Sequence, residues 1–127
     1  MTKKYSSACL KTLTGHTDSI WTILLLQDDC TIFSGGLDKQ IKMWDINTGN
    51  LIRNLPVEHT SHITKLLQLS KEIIISCAND GNIKFWDFKS NSCAHTLQLE
   101  VGLSTMLITN EQGIIAVGQD KNIFLCD

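Results

Sequence analysis

The sequence has a single proline, an odd number of cysteines, no long apolar run and no cluster of one charge sign. Each shortage excludes something. No stretch approaches the roughly 18 apolar residues of a membrane-spanning helix, and the apolar run near the start is too short for a secretory leader. Lysine and arginine number 11 against 13 acidic residues, a net charge of −2. A nucleic-acid-binding face needs clustered cations, and the only basic run, Lys3-Lys4, reads as a solvated terminus. The five cysteines, Cys9, Cys30, Cys77, Cys93 and Cys126, include no C-x-x-C pair. That pattern does not build a disulfide framework and suits a reducing compartment, so the expected location is cytoplasmic, with the nucleus left open. No window keeps the i, i+3, i+4 apolar spacing between caps that marks a helix.

What is present is a chain with 43% hydrophobic and 19% charged residues, the balance of a folded domain. Short β-branched runs alternate with turn-forming clusters at 27–29, 36–39, 47–50, 79–82, 110–113 and 119–122. Asn, Asp and Gly in these clusters tolerate the positive φ that tight hairpins need. Four kinds of strand lie between them. The first kind covers 20–26, 63–69 and 103–108; the second 31–35, 73–77 and 114–117; the third 40–44, 82–86 and 122–126; the fourth 9–13, 51–55 and 93–97. The second kind is almost continuously apolar, as in Ile73-Ile74-Ile75, so both faces are expected to be covered. The fourth kind carries Lys11, Arg53 and His95 at mid-strand, which suits an outer edge in water. Pro56 falls at the end of such a strand, where a missing N–H is tolerated.

The strands recur as a unit. Ser34-Gly-Gly-Leu-Asp38-Lys-Gln-Ile-Lys-Met-Trp44-Asp45 aligns with Ser76-Cys-Ala-Asn-Asp80-Gly-Asn-Ile-Lys-Phe-Trp86-Asp87 and with Ala116-Val-Gly-Gln-Asp120-Lys-Asn-Ile-Phe-Leu-Cys126-Asp127. The spacings are 42 residues (Asp38 to Asp80) and 40 residues (Asp80 to Asp120). A period of this length marks a propeller-type array. Four strands with a dry middle and a wet outer edge must stack against like sheets, which is the blade of a β-propeller. The expected fold is therefore all-β, a partial β-propeller of about three four-stranded antiparallel blades, with repeats at about 9–50, 51–92 and 93–127.

Each of the first two repeats also holds a histidine ahead of the second strand: His16 with Ser34, Asp38 and Trp44, and His59 with Ser76, Asp80 and Trp86. A buried indole N–H needs an acceptor, and a buried imidazole needs partners for both nitrogens. A relay from Trp to Ser to His to Asp satisfies every group at once, and such a network is strong in a low-dielectric interior. With these residues, the chain resembles the WD-repeat β-propeller family from about residue 9 to residue 127. In that family the tetrad locks each blade. The third repeat departs from the pattern: Leu99 falls near the His position, Ala116 replaces Ser, Cys126 replaces Trp and only Asp120 remains. That blade is expected to be the loosest.

Other chemistries fit less well. Ser, His and Asp also describe a hydrolase triad, but neither serine sits in a G-x-S-x-G elbow and the set occurs twice, which points to architecture. His59-Thr-Ser-His62 and Cys93-Ala-His95 do not assemble the four ligands of a structural zinc, so no metal or cofactor is expected. Ser34-Gly35-Gly36 lacks the lysine and spacing of a phosphate loop. Cys30, Cys77 and Cys126 read as small apolar core residues.

Ile20, Ile23 and Leu25 read as core-facing, which leaves Trp21 out of phase with its strand. The resemblance implies partner contacts on the narrow top face from residues three and five after the tetrad His and from the residue before the tetrad Asp. These are Ser19, Trp21 and Leu37, then His62, Thr64 and Asn79, and more weakly Gly102, Ser104 and Gln119. The expected function is a non-catalytic protein–protein interaction scaffold that binds a protein or peptide, not nucleic acid or membrane. The alternative is a targeting or substrate-recruiting segment of a larger enzyme or regulatory complex. Propellers close with roughly 4–8 blades, so three repeats imply a ring completed by further blades of the same or another chain. Left alone, the repeats are expected to expose two apolar blade faces.

Overall fold

The computed structural model describes residues 8–127, so Lys3 and Lys4 lie outside the described residues. Every regular element among those residues is a β-strand. The first sheet holds β1 (Ile20–Leu25), β2 (Thr31–Gly36), β3 (Ile41–Asp45) and β4 (Leu51–Asn54). The second holds β5 (Ile63–Gln68), β6 (Ile73–Ala78), β7 (Asn82–Asp87) and β8 (Ser92–Gln98). The third holds β9 (Leu103–Ile108), β10 (Ile114–Gly118) and β11 (Ile123–Cys126). Within each sheet the strands follow one another in chain order and pair antiparallel.

The register decides which side chains meet. In the first sheet Leu24, Phe33 and Met43 stand in one cross-strand row, facing the second sheet. The second sheet answers with Leu66, Ile74 and Trp86, and together these residues fill the first core. Ile75, Cys77 and Ile83 point the other way and meet Leu103, Met106, Ile114 and Ala116 in the second core. The middle strands β2 and β6 are buried almost throughout, because a blade lies against them or a loop covers them. The outer strands β4 and β8 are mostly exposed.

Three expectations need correction. Residues 9–13 form no strand; no third-type strand lies beside them among the described residues, so their N–H and C=O groups have no ladder to join. This segment instead packs beside the first sheet, where the Lys11 ammonium bonds to the Asn47 carbonyl. Ile20, Ile23 and Leu25 are exposed by 47%, 68% and 50%. They belong to the row of β1 that faces away from the second sheet, and nothing among the described residues covers it. Cys30 is exposed in a turn and not in the core, whereas Cys77 is fully buried and Cys126 half-buried.

The turn chemistry also differs in detail. Positive φ falls on Gly81 in the second sheet but on Lys39 (67°) and Lys121 (77°) in the others. The preceding aspartate makes this tolerable. Oδ1 of Asp38, Asp80 and Asp120 accepts the N–H two residues on, at 3.1, 2.9 and 3.1 Å. An Asx turn of this kind holds the loop whatever side chain occupies its next position.

Candidate functional site

Both tetrads close. Trp44 Nε1 donates to Ser34 Oγ at 2.8 Å, and Trp86 Nε1 donates to Ser76 Oγ at 2.8 Å. Because the histidine Nδ1 faces an acceptor-only carboxylate and so carries the proton, each hydroxyl donates to the histidine Nε2, at 2.6 Å in both blades. The histidine Nδ1–H then donates to the aspartate Oδ2, at 2.7 Å for His16–Asp38 and 2.9 Å for His59–Asp80. The same carboxylate oxygens accept the Thr17 and Thr60 backbone N–H groups, at 3.1 and 2.9 Å. Thus one carboxylate ties the histidine loop to the following hairpin turn. Burial alone would raise both aspartate carboxyls. The histidine hydrogen bond and the backbone N–H donors outweigh it and hold both below the ordinary carboxylate value.

The two tetrads sit in different surroundings. Trp86 lies in the core between the first and second sheets. Trp44 lies on the open side of the first sheet, yet is only 3% exposed. The loop before His16 folds over it: a Cβ on Gly15, which has φ +155°, would stand 3.3 Å from the Trp44 ring. In the third sheet Ala116 is buried and Asp120 turns its second oxygen to the Asn122 side chain at 3.0 Å. Cys126 and Leu99 pack into the second core in place of the polar lock.

The residues read as a partner-binding rim gather at the end of the strands that carries the histidine loops. Trp21, Thr64 and Ser104 share a structural cause. Each is the extra residue of a β-bulge: Ile20 pairs with Gly36 and Thr22 with Gly35; Ile63 with Ala78 and Lys65 with Cys77; Leu103 with Gly118 and Thr105 with Val117. A bulge breaks the alternation of the strand and re-aims one side chain, which is why Trp21 is out of phase with its neighbours. Trp21 is 51% exposed, and the His62 ring of the next sheet meets it edge-on, centroids 4.5 Å apart. Leu37 and Asn79 are half-buried, and their N–H groups bond to the Ser19 and His62 carbonyls at 2.9 and 3.0 Å. Thr64 is half-buried, and its hydroxyl donates to the Leu103 carbonyl across the gap to the third sheet at 2.8 Å. It therefore joins two sheets. Beside it, burial pushes the Cys77 thiol up to about 11, so this cysteine is an inert core group.

Sequence reasoning missed one recurrent pair. Lys42 and Lys84 are 5% and 7% exposed, each laid along its sheet so that Nζ donates to the outer strand, to Asn54 Oδ1 at 2.7 Å and Thr96 Oγ1 at 3.1 Å. The recurring Ile-Lys-x-Trp-Asp was the available signal. Among the described residues no group of three or more His, Cys, Asp or Glu side chains converges as a metal site.

Stacked antiparallel sheets, two of them each locked internally by a Trp-Ser-His-Asp relay, define the blades of a β-propeller. The family model "WD domain, G-beta repeat" matches residues 7–45 and 49–87, and the chain belongs to the WD40 repeat family. The third repeat, without Ser and Trp, lies outside that match. Among curated relatives, the Target of rapamycin complex subunit wat1 of Schizosaccharomyces pombe is 27% identical over 88% of this chain and 36% of its own length. The serine-threonine kinase receptor-associated protein of Bos taurus is 26% identical over 85% of the chain and 31% of its length. The F-box/WD repeat-containing protein sel-10 of Caenorhabditis elegans is 31% identical over 61% of the chain and 14% of its length. The chain thus spans little more than a third, or less, of these relatives. The WD40 β-propeller domain of Doa1 superposes with a TM-score of 0.85 at 23% identity, covering 93% of this chain and 40% of that one, and so shares its fold. WD40 propellers generally serve as protein-interaction scaffolds.

Proposed function

We propose that this chain is a non-catalytic scaffold that grips a protein or peptide on the rim around Trp21. One observation carries the reading. A half-exposed indole stands on a bulge, braced by a histidine from the next blade, and tryptophan is favoured as an interface anchor. Ser19, Leu37, His62 and Asn79, linked in pairs by backbone hydrogen bonds, supply an apolar and polar mixture to this rim, and Thr64 serves as the strut between blades. The absence of catalysis is supported by the tetrads: both serine hydroxyls are occupied by an indole donor in a dry interior. Neither nucleic acid nor membrane enters this reading, and the compartment proposed is the cytoplasm or nucleus. The exposed rows of the first and third blades support completion of the ring by further blades of the same or another chain.

The test compares wild type with Trp21→Ala as baits in a soluble, ring-complete context, with captured proteins quantified by mass spectrometry. The expected result is loss of a defined set of partners with an unchanged melting curve. Identical capture by both baits sinks the proposal. A second reading, a recruiting segment of a larger enzyme or complex, is favoured by the small share of each relative that the chain covers. Sequencing the transcript beyond both ends of this coding stretch separates the two.

A further inference from the structure

We propose a second docking site, at the end of the strands opposite Trp21, that takes an acidic peptide segment anchored by one bulky apolar side chain. A cleft of about 500 Å³ opens there between the first two blades. Its size lies within the roughly 300–1,000 Å³ of sites that enclose a ligand group. The floor is apolar, made by Leu26 of one blade and Phe88 of the other, and Phe88 is held edge-on by Phe33 at 5.4 Å.

The walls are fixed before anything binds. Gln68 Oε1 accepts the Gln27 N–H at 3.0 Å, and its Nε2 donates to the Ser70 carbonyl at 3.0 Å, so one amide joins the turns of both blades. Arg53 of the first blade donates to the Phe88 carbonyl at 2.9 Å and pins the other side. A pre-formed wall avoids the ordering cost that a mobile one would add to binding.

The charge on the rim selects the occupant. The Asp28 carboxylate is spent on its own turn, accepting the Cys30 and Thr31 N–H groups at 2.8 and 3.0 Å and the Thr31 hydroxyl at 2.8 Å. Its charge stays in the lining, where it is outnumbered by the ammoniums of Lys71 and Lys89, beside the exposed Gln27 amide. The Lys89 ammonium pairs with Glu72 at 3.4 Å, between two exposed side chains. A pair of that kind contributes little and yields to a better-placed carboxylate. An apolar floor under two exposed ammoniums, with the one lining carboxylate turned into its own loop, is complementary to an apolar side chain flanked by Asp or Glu. The cleft runs between exposed turns of two blades, so an extended segment enters and leaves without rearranging either.

The test tethers the full 127-residue chain sparsely on a biosensor surface. Three synthetic nonapeptides flow over it: one leucine among glutamates, the same peptide with serine for leucine, and one leucine among lysines. The first is expected to bind and the other two not. Lys71→Glu/Lys89→Glu, both exposed and checked for folding by circular dichroism, should weaken binding about tenfold. Trp21→Ala should leave it unchanged. Absence of binding by the first peptide at millimolar concentration, or equal binding of the lysine peptide, overturns the site. So does loss of binding in Trp21→Ala with retention in the lysine double variant, a result that would instead favour the rim around Trp21.

Discussion

At the scale of single residues, each serine in a tetrad has a neighbour on either side that it alone satisfies. Removing the hydroxyl leaves an indole N–H and an imidazole nitrogen buried without partners, in a site where water cannot replace them. Ser76→Ala is expected to cost about 1–3 kcal/mol, and Trp86→Ala about 3–5 kcal/mol through the cavity it opens. Urea titrations followed by circular dichroism measure both; a neutral Ser76→Ala would mean that the relay does not stabilise the blade. Acid sensitivity follows from Asp38 and Asp80. Their carboxyls are depressed in the folded chain and return to the ordinary value near 3.8 on unfolding. The unfolded state therefore binds more protons in that interval, so this stabilisation is complete above about pH 5 and is lost as pH falls through the folded values. The urea midpoint of wild type should drop steeply below about pH 4. Asp80→Asn should start lower at neutral pH and fall less; equal slopes would remove the carboxylate from the account. The tetrad residues were legible because their types and order recur. The partners of Lys42 and Lys84 were not, because Asn54 and Thr96 lie on a strand whose register only the sheet defines.

At the scale of elements, the third blade is the informative one. It has three strands and no polar relay, and Ala116 and Cys126 offer less volume than the serine-bound indole they replace. Its outward row is bare: Leu107, Ile123 and Leu125 are 53%, 68% and 79% exposed. With fewer buried contacts, its local opening free energy should lie below that of the second blade, which is covered on both sides. Amides of β9–β11 are expected to exchange with deuterium faster than those of β5–β7, measured by mass spectrometry; equal protection would contradict a looser third blade. The strand order was readable from alternating apolar runs and Asn, Asp and Gly clusters. The bulges were not, because an extra residue shows only when two strands are paired. Trp21 gave a hint by breaking the alternation, and residues 9–13 misled because a strand pattern is only half of a ladder.

At the scale of the whole molecule, two apolar faces remain without a neighbour among the described residues. Ile20, Ile23 and Leu25 mark one, and Leu107, Ile123 and Leu125 mark the other. Contiguous apolar surface of this kind drives association. The chain expressed alone is expected to self-associate, with a mass by multi-angle light scattering well above 14.2 kDa. Leu125→Lys combined with Ile23→Lys should bring the mass down. A monodisperse monomer of the wild-type chain, unfolding in two states, would show that these faces are stable in water.

The amino-acid order by itself determined the repeat, the strand types and the identity of both relays, because hydrophobic period, turn chemistry and hydrogen-bonding need are local properties. Only the tertiary structure decided which face of β1 is covered, where Trp21 points and how the turns of two blades enclose a cleft. Those depend on which sheet lies against which. The same isoleucine is core beside a neighbouring blade and surface without one.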